Sequence, residues 1–410
     1  VRRARGHRGP GDPHPRTDPL SREQCVGART WASVDEGQPD DAAEFVAYVA
    51  DVAPVGSPGN ETDIPGIWQR DPLIAPHALG SGSSEGPVAD SPTMAAPDDA
   101  TRVLVHLWGD HFPTPAIRER FPTVEFIPVS TAGPVADDVA GKVCITQAAR
   151  TENLDQVLQR GVRWVHALGQ GVDHFPFEHL GDRTLTCARG VNAVPIAEWV
   201  VAMLLTAVKQ LPGRWATEPP RHWVLADLGS LDGATVALVG LGSINQAVAE
   251  RLAPFGCRMQ AATRSGAPSP VPGVEVTTDV RAAVADADHV VVGVPLTPET
   301  EFMFDDDLLA AMKPGAHLVN IARGRLVDQD ALRRSLDDGH LGMASLDVCD
   351  PEPLPANHWL YSHPGVRLSA HVSWSDPGAL DRLHAAFTDN LRRWLDDEPL
   401  ADIVDPAAGY

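Results

Sequence analysis

The stretch TVALVGLGSINQAVAERLAPFG, residues 235–256, leads from an apolar strand through a glycine-rich turn into an amphipathic helix. Gly240 permits the tight turn that ends the strand, and Gly242 lets the backbone approach a diphosphate closely. The amides of Ser243 and Ile244 then lie at the start of a helix, where the partial positive charge attracts phosphate oxygens. This pattern predicts a dinucleotide-binding turn within a parallel α/β sheet.

The third glycine of the usual G-x-G-x-x-G pattern is replaced by Asn245. A glycine at that position allows the helix to pack closely against the strand. We therefore expect either a slightly displaced helix or an asparagine side chain that turns outward.

The end of the next strand decides between two cofactors. NAD-binding domains usually carry Asp or Glu about 20 residues beyond the first glycine, where it accepts the ribose hydroxyls. Here the strand ends in Thr263-Arg264-Ser265, with no carboxylate. Arg264 can pair with a 2′-phosphate, and Ser265 can add a hydroxyl. NADP is therefore favoured over NAD; the alternative is that Arg264 stacks on adenine or faces solvent.

Strand and helix patterns alternate on both sides of the glycine-rich turn. The predicted strands are 102–108, 124–129, 142–146, 164–168, 235–239, 257–262, 289–294, 317–321 and 345–348. A long apolar helix, 196–208, separates two sets of strands, and a last helix, 380–394, follows the second set. We predict an α/β fold with two doubly wound parallel-sheet domains, one flavodoxin-like and one of the Rossmann type.

The predicted domains are discontinuous. Residues 99–195 together with 380–410 form the flavodoxin-like domain, and residues 196–379 form the dinucleotide domain. Residues 1–98 are rich in Pro and Gly, with one short helical pattern at 44–52. We expect a disordered, low-complexity extension there, with the folded protein beginning near Met94; the alternative is a small additional domain.

Composition excludes several classes of function. The chain has 410 residues and a formal net charge of −22, which argues against nucleic acid and anionic membranes as partners. Its five cysteines are scattered without metal-ligand spacing, so we predict no metal site and a reducing compartment. No apolar run reaches the ~18–20 residues of a membrane span, and we expect a cytoplasmic protein.

Three distant segments carry a resemblance to a known family. They are Asn-Ile-Ala-Arg-Gly at 320–324, Leu-Asp-Val at 346–348 with Pro-Glu-Pro at 351–353, and Ser-Ala-His at 369–371. Further matches are GQGVDH at 169–174, PLTPET at 295–300 and MKPG at 312–315. In this order the segments resemble the D-isomer-specific 2-hydroxyacid dehydrogenases across residues 101–410. Ala370 is a departure, because the family usually has proline there.

The resemblance implies a catalytic set of Arg323, Glu352 and His371. A 2-oxo acid carries a carboxylate and a ketone, and its reduction adds hydride at carbon and a proton at oxygen. The forked donors of Arg323 would hold the carboxylate and polarise the ketone. Histidine titrates near neutrality, so His371 would be the acid/base, with Glu352 favouring and orienting its imidazolium form.

The resemblance also implies contacts to ligands. The backbone amides of Gln170 and Gly171 would receive the substrate carboxylate from the other domain. Further cofactor contacts would come from Asp347, Pro295, Thr300 and Ala322. Trp374 either forms a wall of the substrate pocket or belongs to the core.

The expected function is reduction of a small 2-oxo acid, of glyoxylate or hydroxypyruvate type, to the D-2-hydroxy acid with NAD(P)H. The resemblance implies a homodimer formed largely through the dinucleotide domains, with catalysis in a closing cleft. The alternatives are a phosphoglycerate dehydrogenase, an enzyme that oxidises formate or phosphite, and a non-catalytic dinucleotide-sensing binding protein.

Overall fold

Two parallel sheets organise the chain in the computed structural model, which describes residues 101–109, 111–219, 223 and 226–410. The strands of the first sheet are β1 (Thr101–His106), β2 (Val124–Pro128), β3 (Val143–Gln147), β4 (Trp164–Leu168) and β5 (Thr184–Cys187). Their order is β2-β1-β3-β4-β5, which is the flavodoxin-like arrangement.

Both faces of the first sheet are covered, as parallel sheets require. Its helices are α1 (Pro115–Arg120), α2 (Leu154–Leu158) and, from the far end of the chain, α8 (Ala379–Leu395). Leu104 belongs to the cluster that contains the apolar residues of α2. Val103 and Val105, on the opposite face of β1, belong to the cluster that contains Phe387 and Leu391 of α8. The alternation along β1 explains why one strand serves two cores.

The second sheet has seven strands, in the order β12-β11-β10-β9-β6-β7-β8. They are β6 (Thr235–Val239), β7 (Arg258–Ala262), β8 (Val274–Thr277), β9 (His289–Val292), β10 (His317–Asn320), β11 (Met343–Leu346) and β12 (Val366–Leu368). The order reverses between β6 and β9, which run side by side. Ligands of doubly wound sheets bind at such a reversal, outside the carboxyl ends of the strands.

Five helices cover the second sheet. They are α3 (Ala193–Lys209), α4 (Ser243–Leu252), α5 (Val280–Ala285), α6 (Asp306–Ala311) and α7 (Gln329–Asp337). Val236 and Leu238 point into the cluster shared with α3 and α4, whereas Ala237 and Val239 point into the cluster shared with α5, α6 and α7. The near-continuous apolar letters of β6 therefore reflect burial on both faces.

Aspartates fix where three of these helices begin. The side chains of Asp279, Asp305 and Asp328 accept hydrogen bonds from backbone amides of the first turns of α5, α6 and α7. Each bond satisfies a donor that has no partner within its own helix.

The predicted α/β class with two doubly wound parallel sheets is confirmed. The sequence patterns missed three strands near the sheet edges, β5, β8 and β12. The short helix at 44–52 and the disordered extension expected for residues 1–98 lie outside the described residues. Among the residues that the structure does describe, no helix is long and apolar enough to cross a membrane.

Candidate active site

The predicted site residues follow the carboxyl ends of strands in both sheets. Gln170 comes just after β4 of the first sheet, and Gly240 follows β6 at the reversal of the second sheet. Arg323 and Asp347 follow β10 and β11. Strand polarity alone therefore directs these residues to the edges where ligands of this fold class bind.

The glycine-rich turn has the backbone geometry that a diphosphate requires. Gly240 has φ +85°, and a Cβ there would lie 2.9 Å from the carbonyl oxygen of Gly293. Gly242 caps α4 without a side chain, and a Cβ built on it would meet nothing within 4 Å. The first intrahelical bond runs from the Gln246 amide to the Gly242 carbonyl, at 2.9 Å. Open space in front of helix-start amides fits the phosphates of a dinucleotide.

Asn245 turns inward, so of the two alternatives expected from the sequence, the outward side chain was wrong. Asn245 is 1% exposed, and its Nδ2 donates to the Gly240 carbonyl at 2.7 Å. The side chain fills the space beside Gly293, where a Cβ would lie only 2.6 Å from Nδ2. A glycine on β9's carboxyl end thus makes room for the asparagine that replaces a glycine on α4.

The end of β7 presents a cation and a hydroxyl at the surface. Arg264 is exposed, and its guanidinium carbon lies 5.7 Å from the ring centroid of Tyr410, a cation–π contact. The hydroxyl of Ser265 accepts a hydrogen bond from the Ala267 amide at 3.2 Å. Their contact with a cofactor stays a prediction, as does the alternative in which Arg264 stacks on adenine or faces solvent.

The segment after β9 closes on itself. The Thr300 hydroxyl donates to the Pro295 carbonyl at 2.7 Å and accepts from the Thr297 amide at 2.8 Å. Thr300 therefore shapes this turn. Direct contact of Pro295 and Thr300 with a cofactor stays a prediction.

The backbone around Arg323 is set by its neighbours in the Asn-Ile-Ala-Arg-Gly segment. Asn320 accepts from the Ala322 amide at 3.1 Å and donates to the Arg323 carbonyl at 2.8 Å. A Cβ at Gly324 would overlap the backbone of Cys349, so only glycine fits there. This close approach ties the arginine turn to the loop that carries the predicted catalytic glutamate.

The Arg323 side chain reaches the first sheet's Gln170–Gly171 loop. A Cβ at Gly171 would overlap Nη2 of Arg323, so the guanidinium lies against the loop backbone. Its Nε lies 2.9 Å from both carboxylate oxygens of Asp173, and Nη2 lies 2.7 Å from Oδ1. Burial raises the pKa of Asp173, but the charge and hydrogen bonds of Arg323 outweigh it and hold that pKa below its ordinary value.

His371 and Glu352 form a hydrogen-bonded pair. The imidazole Nδ1 lies 2.8 Å from Oε2 of Glu352, and the other carboxylate oxygen accepts from the Cys349 amide at 3.0 Å. Burial raises the pKa of Glu352; the bond and charge of His371, the amide and the charge of Arg323 together lower it below its ordinary value. Glu352 is therefore a carboxylate at neutral pH.

Asp347 organises the loop that carries His371. It is 1% exposed, and its oxygens accept from the Ser369 hydroxyl at 2.5 Å and from the amides of Val372 and Ser373 at 2.9 and 3.0 Å. The His371 amide donates to the Asp347 carbonyl at 2.8 Å, and His371 has φ +54°, unusual for a residue with a Cβ. Contact of Asp347 with a nicotinamide stays a prediction.

Trp374 belongs to the support of the same loop. Its ring packs against the apolar cluster between the second sheet and helices α3 and α4, and its Nε1 donates to the His371 carbonyl at 2.9 Å. Of the two alternatives for Trp374, these contacts favour core packing. They also hold the loop in which Ala370 replaces the family's usual proline.

The structure thus brings the three predicted catalytic residues together with the Gln170–Gly171 loop. Sequence reasoning overlooked Asp173 as a site residue, although it lies in the GQGVDH segment that carried the resemblance. It also gave no role to Gly293, for which no local pattern offered a signal. Within the described part of the chain, no group of three or more His, Cys, Asp or Glu side chains is arranged to hold a metal ion.

Comparison with known proteins assigns a family. Residues 201–373 match the family model described as D-isomer specific 2-hydroxyacid dehydrogenase, NAD binding domain. The chain is 33% identical over 266 residues to formate dehydrogenase of Pseudomonas sp. (strain 101), a match that covers 62% of this chain and 64% of that protein. It is 33% identical over 252 residues to glyoxylate reductase/hydroxypyruvate reductase of Mus musculus, covering 58% of this chain and 76% of that protein.

A solved structure with a similar fold supports the same family. The NADPH-dependent glyoxylate/hydroxypyruvate reductase from Sinorhizobium meliloti, in complex with NADP and sulfate, superposes with a TM-score of 0.65 at 26% identity. The superposition covers 76% of this chain and 100% of the other. The chain therefore belongs to the D-isomer specific 2-hydroxyacid dehydrogenases, NAD(P)-dependent oxidoreductases that act on CH–OH donors.

Proposed function

We propose that this protein reduces a small 2-oxo acid, of glyoxylate or hydroxypyruvate type, to the corresponding D-2-hydroxy acid with NADPH. One observation carries the proposal. Arg323 lies against the Gln170–Gly171 loop, and the next residue, Gly324, lies against Cys349, whose amide binds the glutamate that is hydrogen-bonded to His371. A carboxylate-binding group and an acid/base pair therefore share one site.

The roles follow from the donors that each residue offers. Arg323 binds the substrate carboxylate and polarises the adjacent ketone, helped by the backbone amides of Gln170 and Gly171. Because Nδ1 of His371 bonds Glu352, His371 delivers the proton to the carbonyl oxygen from Nε2. Glu352 remains ionised and stabilises the imidazolium before the proton leaves.

The dinucleotide site is the turn that contains Gly240 and Gly242, with Ser243 and Ile244 offering backbone amides. Pro295, Thr300, Ala322 and Asp347 complete it. When bound, the nicotinamide cofactor supplies the hydride. Arg264 and Ser265 favour NADPH, because they offer a cation and a hydroxyl where NAD-specific domains carry a carboxylate; the relative from Sinorhizobium meliloti was crystallised with NADP.

The acid/base pair separates this function from formate oxidation, which the Pseudomonas relative suggests. Formate loses a hydride and becomes carbon dioxide, so the reaction transfers no proton. The bond of 2.8 Å between His371 and Glu352 suits a reaction that moves a proton at each turnover. It equally argues against a binding protein without catalysis.

We also propose a cytoplasmic homodimer. The segment between α3 and β6 exposes Trp215 by 68% and Trp223 by 73%, large apolar areas that a second copy would cover. The cysteines at 144, 187, 257 and 349 are free thiols, as expected for a reducing compartment. Sedimentation at several concentrations measures the oligomeric state directly.

Initial rates with a panel of substrates test the function. Glyoxylate, hydroxypyruvate, pyruvate, 2-oxoisovalerate and phenylpyruvate are each offered with NADPH and with NADH, and formate is offered with NADP and NAD. We expect the highest kcat/KM for glyoxylate or hydroxypyruvate with NADPH. Turnover of formate alone, or of no acid in the panel, would contradict the proposal.

A further inference from the structure

An ion pair joins the two sheets at the proposed substrate site. Arg323 follows β10, Asp173 lies beyond the end of β4, and the two are 150 positions apart in the sequence. Their side chains are 26% and 11% exposed. Taking such charges out of water is costly, so a pair of this kind is weak evidence for stability. Its effect on the geometry of the site is more direct.

The carboxylate of Asp173 is itself held in place. Its Oδ2 lies 3.3 Å from Nε2 of His174, and the backbone of His174 forms an isolated parallel bridge with Ala149, in the loop after β3. Loops from two neighbouring strands thus fix the position of Asp173. It is the acceptor to which the Arg323 side chain from the other sheet bonds.

Asp173 contacts the guanidinium of Arg323 along one edge, the edge formed by Nε and Nη2. Arginine has five N–H donors in a rigid plane. Nε donates to both oxygens of Asp173, Nη2 lies 2.7 Å from Oδ1 as the ion-pair contact, and one hydrogen of Nη1 bonds to the Ala322 carbonyl at 2.7 Å. Within the described part of the chain, both terminal nitrogens keep hydrogens that a single carboxylate can accept from the end of the group.

The Gly171 backbone lies directly against the guanidinium of Arg323. A side chain at position 171 would overlap Nη2, so the arginine lies directly against the loop whose amides are proposed to bind the substrate carboxylate. Asp173 and Gly171 therefore constrain the guanidinium of Arg323 from two sides, Asp173 at its Nε edge and Gly171 beside Nη2. Neither constraint would exist if the arginine extended into solvent.

We propose that Asp173 is a positioning residue: it holds Arg323 from the side so that the remaining N–H groups of the arginine point at the substrate carboxylate and ketone. The inference rests on the proposed function, since it concerns the same site. It also explains why a carboxylate next to the substrate-binding arginine does not compete with the substrate. Asp173 takes the side of the guanidinium, and the substrate takes the end.

The test compares Asp173→Ala and Asp173→Asn with the matched control Asp306→Ala. Asp306 forms an exposed pair with Arg334 at 2.7 Å, away from the site. For each protein, the dissociation constants of NADPH and then of oxamate, an unreactive analogue of a 2-oxo acid, are measured by fluorescence. Values of kcat and KM follow for the best acid of the panel.

We expect Asp173→Ala to lower kcat and to weaken oxamate binding by ~10–100-fold each. Without Asp173 the guanidinium of Arg323 is misaligned, and misplacement of a catalytic group lowers the rate by about that factor. The affinity for NADPH should stay within about twofold, since the side chain of Asp173 contacts Arg323 and His174 and not the glycine-rich turn. Asp173→Asn keeps the size and one acceptor oxygen, and should recover part of both losses. The control should match the wild type.

Two outcomes would overturn the proposal. Lower thermal stability with unchanged kcat and oxamate affinity would mean that the pair is only structural, and tighter oxamate binding would mean that Asp173 competes with the substrate. If Asp173→Ala does not fold, Asp173→Asn decides by the same criteria. If no acid of the panel is reduced, the proposed function fails, while the oxamate constants still test Asp173; no oxamate binding to the wild type would reject both.

Discussion

The imidazole of His371 and the carboxylate of Glu352 meet at 2.8 Å although they lie on different loops, one after β11 and one after β12. Asp347 holds the His371 loop through three hydrogen bonds to its carboxylate. The Cys349 amide holds Glu352. The hydrogen-bonded pair of His371 and Glu352 is therefore preorganised by Asp347 and by the backbone of Cys349, which have no part in the proposed proton transfer.

Replacing His371 with alanine tests the proton donor. General acid catalysis contributes ~10²–10⁴-fold, so we expect kcat for 2-oxo acid reduction to fall by that factor. The dissociation constant of NADPH, measured by fluorescence, should not change, because the glycine-rich turn is intact. Turnover close to that of the wild type would show that another group supplies the proton.

Glu352→Gln tests the partner of that donor through the pH profile. The pKa of Glu352 lies below its ordinary value, so the group is charged throughout a neutral assay range, whereas glutamine carries no charge. Without the carboxylate, the protonated imidazolium is less favoured. We expect the alkaline fall in kcat/KM for reduction to begin at lower pH than in the wild type. A superimposable profile would remove Glu352 from the acid/base step.

Cofactor choice is tested at Arg264. Charge-assisted hydrogen bonds contribute ~1.5–3 kcal/mol each, which corresponds to a preference for NADPH over NADH of roughly 10–100-fold in kcat/KM. Arg264→Ala should abolish the preference and Arg264→Asp should reverse it. Arg258→Ala, at the other end of β7, is the matched control and should leave the ratio unchanged. Equal ratios in Arg264→Ala and the wild type would mean that Arg264 faces solvent.

The sequence was informative where a short pattern specifies backbone geometry. Gly240 and Gly242 are recognisable because a turn of that shape needs glycine at those positions. Arg323, Glu352 and His371 could be named because the segments around them resemble motifs of a known family, and the polarity of the parallel strands brings these segments to one edge. The edge strands β5, β8 and β12 are short, and their patterns do not distinguish them from loops.

Long-range contacts were not predictable in the same way. Asn245 turns inward because the residue beside it, just after β9, is Gly293, and nothing near Asn245 in the sequence indicates this. Asp173 reads as one letter of a loop motif, and its partner Arg323 lies 150 positions away. Their roles depend on which side chains the fold places in contact, which only the packed structure reveals.

A buried histidine pair in the second sheet predicts that the folded state is destabilised by acid. His289 and His317 lie opposite each other on β9 and β10, with their Nδ1 atoms 3.3 Å apart. Burial lowers the pKa of His289 to about 4, against the charge of Asp288, and lowers that of His317 to about 3, with the charges of His289 and Arg367. In the unfolded chain, histidine titrates near ~6.5.

The sign follows from proton counting. Between about pH 6.5 and the lowered pKa values, the unfolded chain binds more protons than the folded one, so the free energy of unfolding falls as pH falls. Each such proton contributes about 1.4 kcal/mol per pH unit. Urea unfolding at pH 7 and pH 5 should therefore show a smaller loss for His289→Gln than for the wild type. His340→Gln, a half-buried histidine of the same domain, should keep the wild-type loss; identical losses in all three proteins would exclude the pair as the cause.

The fit between Asn245 and Gly293 gives the last prediction. A Cβ at residue 293 would lie 2.6 Å from Nδ2 of Asn245, whose side chain is buried and bonded to the Gly240 carbonyl, so it cannot move aside. Overpacking of this kind costs ~1–3 kcal/mol, and we expect Gly293→Ala to lower the free energy of unfolding by that amount. It should also weaken NADPH binding, because the strain is transmitted to Gly240.

Asn245→Gly removes the obstructing side chain and restores the third glycine of the motif. The double variant should then be more stable than Gly293→Ala alone and should bind NADPH more tightly than that variant. Urea unfolding and fluorescence titration of the four proteins form a double-mutant cycle, and additive effects would mean that the two residues do not share this space.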